Sequence, residues 1–166
     1  TGKPATASAH LGSNVATIAT DGVIDTNRYW EMDAAAGKPV WWQVDLEAPT
    51  EVARVVVVGY YGNARYYGFA VETSLDGQTW DMVADWRKNT QPATAAGYVC
   101  RFEPRLVRYI RVYQTHNSAN SGRHLVEVMA YGKDPAGSPA ATPLIEEAVW
   151  MLMATTAMNS DETINK

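Results

Sequence analysis

The chain has 166 residues, a formal net charge of −4, 46% hydrophobic residues and 19% charged residues. This length and composition are typical of a globular domain with a real core and exclude a disordered protein. The acidic balance, without any basic run, argues against nucleic acid as a partner. No stretch reaches the roughly 20 apolar residues of a membrane span. The single cysteine, Cys100, cannot form an internal disulfide.

Residues 1–132 are predicted to form short β-strands separated by turns. Apolar and polar residues alternate in several segments, as Ile110 and Val112 do with Arg111, which is the period of a half-buried strand. The Asp76–Gly77 pair between two such segments predicts a hairpin. The predicted strands are 41–47, 52–61, 68–74, 79–86, 97–103, 108–115 and 124–132. This pattern, with no convincing helix before residue 140, predicts an all-β fold, a β-sandwich.

The composition changes after residue 132. Residues 133–143 contain three prolines and indicate a linker. Residues 144–166 are predicted to contain a short helix, because Thr142 suits the N-cap and the apolar residues of 144–153 recur at helical spacing. We expect this helix to dock on the sandwich, to pair with a second copy of the chain, or to begin a neighbouring domain.

A tight turn near the start of the chain offers hard oxygen ligands. Asp21, Asp25 and Thr26 lie close together in the sequence, and calcium prefers roughly six to eight such oxygens. This turn cannot supply all of them, so a distant carboxylate would have to complete the site. Glu127 is a candidate, because a charge inside an alternating strand needs a partner. The alternative is an Asx turn at Asp21 and an exposed Glu127.

Six segments occur in an order and spacing that resemble one family. They are 2–8 (GKPATAS), 19–31 (ATDGVIDTNRYWE), 41–47 (WWQVDLE), 71–80 (VETSLDGQTW), 108–112 (RYIRV) and 125–132 (LVEVMAYG). Together they resemble the discoidin domain, also called the coagulation factor 5/8 C-terminal type, whose bacterial branch is carbohydrate-binding module family 32. The resemblance covers residues 2–132 and implies a jelly-roll β-sandwich.

The resemblance also implies a structural calcium ion between the Asp-Gly loop and the last strand. By position, Asp21, Thr26 and Glu127 would supply side-chain oxygens, and Ala19, Val23 and Met129 would supply backbone oxygens. Eukaryotic members close the domain with a terminal disulfide, which a single cysteine cannot form, so the chain resembles the bacterial branch. Those modules are non-catalytic, belong to secreted or cell-surface enzymes acting on glycans, and bind sugars with loops at one end of the sandwich.

The implied sugar site lies on loops around Glu31, 60–67 and 116–124. A sugar ring needs an aromatic face for its C–H side and planar polar groups for its hydroxyls. The candidates are Glu31, Tyr60, Tyr61, Arg65, Tyr66, Asn117, Asn120, Arg123 and His124. The pattern departs from galactose-binding relatives, because Arg65 lies near the position where they carry an Asn. The sequence therefore leaves three alternatives to galactose: an acidic sugar, an amino sugar or a different neutral sugar.

Two other functions are weighed against a binding module. A protein- or membrane-adhesion domain would carry exposed Trp, Phe or Leu with basic residues on its tip loops, whereas these loops carry Tyr, Asn and Ser. An acid–base hydrolase needs two carboxylates flanking one pocket, and Asp21 and Glu127 are assigned to the metal. No Ser-His-Asp or Cys-His set stands out, so we predict a non-catalytic module whose partner is carbohydrate.

Overall fold

The computed structural model describes residues 1–34 and 40–133, and most of its regular structure is β-strand. The elements are β1 Ala5–Ala7, a 3-10 helix Ala16–Thr20, β2 Trp30–Asp33, β3 Val40–Val58, β4 Tyr67–Ser74, β5 Asp81–Asp85, β6 Tyr98–Asn117, β7 Gly122–Leu125 and β8 Glu127–Tyr131. Each strand pair in this part of the chain is antiparallel. The predicted all-β sandwich is confirmed.

The two longest strands, β3 and β6, run through both layers of the sandwich. The first half of β3 pairs with β1 and with the second half of β6, which also pairs with β4. The second half of β3 pairs with β8 and with the first half of β6. The register shifts between Asp45 and Thr50, and such an irregularity lets a strand leave one sheet and enter the other.

The core lies between these layers and is built from alternating inward residues. Val40, Trp42 and Val44 point inward from β3, and Ile110 and Val112 point inward from β6. Two buried tryptophans also hold loops, because their indole N–H groups donate to backbone carbonyls. The Trp42 indole donates to Ala16 at 2.8 Å, and the Trp30 indole donates to Ala9 at 2.9 Å. The core therefore positions the segment that precedes β2.

The strand boundaries differ from the sequence prediction in several places. Segments 41–47 and 52–58 belong to one strand, and so do 98–103 and 108–115, because both strands continue through the bend. The predicted strand 124–132 is divided between β7 and β8. The loop predicted over 116–124 is shorter, since β6 extends to Asn117 and β7 begins at Gly122. The predicted hairpin is confirmed, with Asp76 accepting the N–H groups of Gln78 and Thr79 at 2.8 Å.

The described residues Thr1–Lys133 form one unit. Within them, no helix is long and apolar enough to cross a membrane. Apart from Lys133, the predicted linker 133–143 and the helical segment 144–166, with the docking or pairing surface at 144–153, lie outside the described residues.

Candidate functional site

The short β2–β7 ribbon brings a carboxylate and an imidazole together at one end of the sandwich. Glu31 and His124 are directly opposite each other in its antiparallel register, so their side chains emerge on one face as neighbours. The His124 Nε2 atom lies 3.3 Å from Glu31 Oε1. Residues 11–14 flank Glu31, because its backbone carbonyl accepts the Leu11 N–H and its backbone N–H donates to Asn14. The Asn14 side chain donates to Glu31 Oε2 at 2.9 Å.

Tyr67 connects His124 to the next loop. Its hydroxyl lies 2.9 Å from His124 Nδ1. The Glu31 carboxylate can only accept, so Nε2 of the neutral imidazole carries the proton and donates to Glu31, and Nδ1 accepts from the Tyr67 hydroxyl. Burial is the main cause that lowers the pKa of His124, and the positive charges of Arg65 and Arg123 lower it further, whereas Glu31 raises it. The lowered pKa favours the neutral imidazole.

Aromatic rings surround the imidazole. Tyr29 lies edge-on to both His124 and Tyr60, with ring centroids 5.4 and 5.6 Å apart. The Tyr60 ring is 5.9 Å from the imidazole and carries the Arg65 guanidinium 4.6 Å above its centroid. Tyr29, Tyr60, Arg65 and Glu31 are all partly exposed. The cluster thus presents ring faces, one cation and one carboxylate together. We call these four residues, the central His124 and the supporting Tyr67 the tip cluster.

Three other predicted residues instead maintain the loop after β6. Asn117 is buried, and its amide donates to Asn120 Oδ1 at 2.7 Å and to the Gly122 carbonyl at 2.6 Å. Asn120 also accepts the Gly122 N–H at 3.0 Å. Arg123 donates to the carbonyls of Ser121, Gly122 and Thr115. Their polar atoms hold backbone in place, and a contact with ligand stays a prediction for each.

The two remaining predicted tyrosines lie beside the tip cluster. The Tyr66 ring lies tilted against His116 with centroids 5.7 Å apart, and its backbone N–H and carbonyl bond Ser118. The Tyr61 hydroxyl donates to the Ile24 carbonyl at 3.2 Å, which points it toward the loop that carries Asp21. Tyr61 therefore connects the 60–67 loop to the loop predicted to bind calcium, and Tyr66 connects it to the end of β6.

The acidic residues predicted for calcium lie close to each other. Glu127 is only 3% exposed, and its Oε2 accepts the Gly22 N–H at 3.1 Å. Burial is the main cause that raises the pKa of Glu127 to about 7, and the charge of Asp21 adds to it. Asp21 forms an Asx turn with Val23 at 2.8 Å and a salt bridge with Arg28. The alternative of an exposed Glu127 is therefore wrong, whereas the Asx turn is present.

The donor chemistry of this region fits a hard cation. Two carboxylates in a partly buried setting repel each other, and a cation between them would relieve both the repulsion and the desolvation of Glu127. Thr26 lies in the same loop, and Gly22, Glu127 and Met129 line a cleft of about 450 Å³. No group of three or more His, Cys, Asp or Glu side chains suited to a metal occurs in residues 1–34 and 40–133. The hydroxyl of Thr26 and the backbone oxygens of Ala19, Val23 and Met129 would have to complete such a site.

Sequence reasoning missed Tyr29 and Asn14, and it took Tyr67 as an aromatic platform for the sugar, whereas Tyr67 is buried beneath His124. The alternation that assigns Phe69 and Val71 to the core also assigns Tyr67 to the inward face of β4. In the same way, Tyr29 shares a face with Glu31, because Trp30 and Met32 point inward. The alternation of inward and outward side chains along a strand could therefore have identified both tyrosines. Asn14 gives no comparable signal, since its contact with Glu31 depends on the path of a loop.

Comparison with known proteins identifies the relatives of this fold. The profile of the F5/8 type C domain matches residues 4–128. BTB/POZ domain-containing protein 9 of Bos taurus is 31% identical over 101 residues, which are 58% of this chain and 16% of that protein. The chain therefore spans a small part of the length of the curated relatives it matches.

Two solved carbohydrate-binding modules share both fold and sequence with the chain. The CBM32 of AlyQ, in complex with 4,5-unsaturated mannuronic acid, is 26% identical with a TM-score of 0.67 and aligns 78% of this chain with 95% of that one. Chitosan-binding module 1, derived from a chitosanase/glucanase of Paenibacillus sp. IK-5, is 27% identical with a TM-score of 0.63 and aligns 79% with 96%. The resemblance seen in the sequence is confirmed.

Proposed function

Because the chain belongs to the F5/8 type C domain family, we propose that it is a non-catalytic carbohydrate-binding module. Its role would be to hold an attached, secreted glycan-active enzyme on its polysaccharide or glycoconjugate. The observation that carries the proposal is the tip cluster, where Glu31 and Arg65 stand beside the rings of Tyr29 and Tyr60. The two related modules, one of them taken from a chitosanase/glucanase, support it.

The chemistry of the tip cluster suits a sugar. A tyrosine face packs against the C–H side of a pyranose ring, while Glu31 accepts from hydroxyl groups and Arg65 donates to them. The cluster is rigid, since cross-strand pairing and buried hydrogen bonds hold its parts. A shallow site of this kind buries few ligand atoms, so we expect a dissociation constant of roughly micromolar to millimolar. Repeated modules or multivalent glycans would raise the effective affinity.

A glycan array tests this proposal. Wild-type protein is compared with a Tyr60→Ala, Arg65→Ala variant across neutral, amino and acidic glycans in calcium buffer. Arg54 stacks over the exposed Tyr131 at 4.3 Å, which repeats the Arg65–Tyr60 arrangement away from the tip. The matched control is therefore Tyr131→Ala. We expect binding that the tip variant loses and the control keeps. If the wild type binds none of the neutral, amino or acidic glycans, the proposal is refuted and a protein- or membrane-adhesion domain is favoured.

We also propose that a calcium ion stabilises the module between the Asp21 loop and Glu127. The support is the raised pKa of the buried Glu127 carboxylate and its proximity to Asp21. Calcium that binds only the folded state would stabilise it by about 2.7 kcal/mol at 100 times the dissociation constant. We expect chelation to lower the melting temperature of the wild type and of the exposed control Glu103→Gln, but to leave Glu127→Gln unchanged. An equal response of all three proteins, or none from the wild type, would refute the ion.

A further inference from the structure

The tip cluster contains the Glu31 carboxylate, which His124 and Asn14 hold in place. The hydrogen bonds that this carboxylate can still accept determine which sugar the site would select. We propose that Glu31 is the specificity-determining residue and that it selects amino sugars with a free, protonated amine over their N-acetylated and acidic counterparts. The inference rests on the proposed carbohydrate-binding function and names the ligand class of the same site.

Both oxygens of Glu31 face hydrogen-bond donors. Oε1 faces His124 Nε2 at 3.3 Å, and Oε2 faces the Asn14 amide at 2.9 Å. The side chain is still 21% exposed, and each carboxylate oxygen has a further lone pair. A ligand group that meets Glu31 must therefore donate a hydrogen. An ammonium group offers three donors and an opposite charge, so it forms the stronger, charge-assisted bonds.

The chain of hydrogen bonds behind Glu31 keeps it an acceptor site. The Tyr67 hydroxyl donates to His124 Nδ1 at 2.9 Å, because the other ring nitrogen faces the Glu31 carboxylate, which can only accept. His124 then has its proton on Nε2, next to Glu31. Since His124 and Tyr67 are 5% and 2% exposed, water does not compete readily for these positions. Tyr67 and His124 act here as positioning residues for the Glu31 carboxylate.

Of the two arginines near the site, Arg123 is held by the protein. It gives its terminal nitrogens to three backbone carbonyls, and its Nε is buried without a partner. Arg65 gives its Nε to Asn63 Oδ1 at 2.7 Å and lies over the Tyr60 ring. Its terminal nitrogens can donate to sugar hydroxyls, but a sugar carboxylate bound by them would approach the negative charge of Glu31. The charges therefore favour a cationic sugar over a uronate.

The test is a calorimetric titration with three matched ligand sets. Methyl glycosides of glucosamine and galactosamine are compared with their N-acetylated forms and with the corresponding uronic acids. The pH is low enough to protonate the sugar amine and high enough to leave His124 neutral. We expect one free-amine ligand to bind roughly ten-fold or more tightly than its N-acetylated form, as a charge-assisted bond predicts. The preference should weaken as salt concentration rises, because salt screens the exposed part of the ion pair.

A variant assigns the preference to Glu31. Glu31→Gln keeps the size of the side chain and removes its charge, so the amine preference should disappear while N-acetylated sugars still bind. Glu103→Gln, on the exposed part of β6, should keep it. Equal binding of amine and N-acetyl forms, tighter binding of a uronate, or a preference that survives both salt and Glu31→Gln would overturn the inference but not the proposed function. Failure to bind any sugar in the set or on the glycan array would instead refute the proposed function, and the inference with it.

Discussion

The hydroxyl of Tyr67 is the most informative atom to remove. Tyr67→Phe keeps the buried ring but deletes the oxygen that lies 2.9 Å from His124 Nδ1. His124 is 5% exposed, so its Nδ1 loses its partner without replacement.

The expected loss of stability follows from these contacts. A typical hydrogen bond contributes about 0.5–1.5 kcal/mol, and a buried group left without a partner costs about 1–3 kcal/mol. With His124 Nδ1 as the main unpaired group, we expect Tyr67→Phe to lower the free energy of unfolding by about 2–3 kcal/mol. For a domain of this size that corresponds to a fall in melting temperature of roughly 6–12 °C.

A matched control separates this effect from the loss of any buried hydroxyl. Tyr98 is 4% exposed, and its hydroxyl donates to the carbonyl of Gln91 at 3.0 Å. Gln91 is exposed, so water can replace the lost donor and Tyr98→Phe should cost about 1 kcal/mol or less. Urea unfolding gives both values from the shift in midpoint at constant slope. Equal losses in the two variants would refute the reasoning, as would an Nδ1–H tautomer of His124 in nitrogen NMR of the wild type.

Three further predictions concern His124, Gly122 and Cys100, and simple assays can check them. Burial lowers the pKa of His124 in the folded state, so the unfolded state takes up the proton more readily. The stability that neutral His124 contributes is therefore present above about pH 6.5 and is lost as the pH falls toward the pKa of the folded state. The difference in melting temperature between wild type and His124→Gln should therefore change below that pH, and a constant difference would contradict it. A Cβ on Gly122 would lie 2.8 Å from the His124 ring, so Gly122→Ala should cost about 1–3 kcal/mol and weaken sugar binding, whereas unchanged affinity would exclude this coupling. Burial raises the pKa of Cys100 to about 12, so iodoacetamide should label it, by mass spectrometry, only as fast as the protein unfolds, and rapid labelling in native buffer would disprove its inaccessibility.

The sequence predicts the strands well where alternation is long and poorly where it is short or continues through a bend. Ile110 and Val112 lie inward as their spacing predicts. The four-residue β2 has too few alternations to stand out. The sequence predicts separate strands at 41–47 and 52–61, yet β3 continues through the residues between them because the register shift, with Glu47 at a φ of 70°, absorbs the bend. Local propensity cannot show that the same strand serves two layers.

Glu31, Tyr60, Arg65 and His124, which the sequence analysis proposes for one site, lie together at one tip. Their contact with a sugar stays a prediction. Composition could not show that Asn117, in the same polar loop, turns inward to hold backbone, since an amide serves either purpose. The distinction depends on where the loop closes, and that is set by long-range strand pairing.

The burial of Tyr67 and His124 has a consequence for binding. Polar groups in a core are tolerated only when their partners are in place, and here each of the two satisfies the other. A ligand that meets Glu31 therefore finds a carboxylate already oriented by Asn14 and His124, so less side-chain freedom is lost on association. Rigidity of this kind suits a small, shallow site, because such a site has little buried area with which to offset the cost of ordering its own residues. The same buried hydrogen bonds that make the tip vulnerable to mutation would thus help the proposed binding module to distinguish one sugar from another.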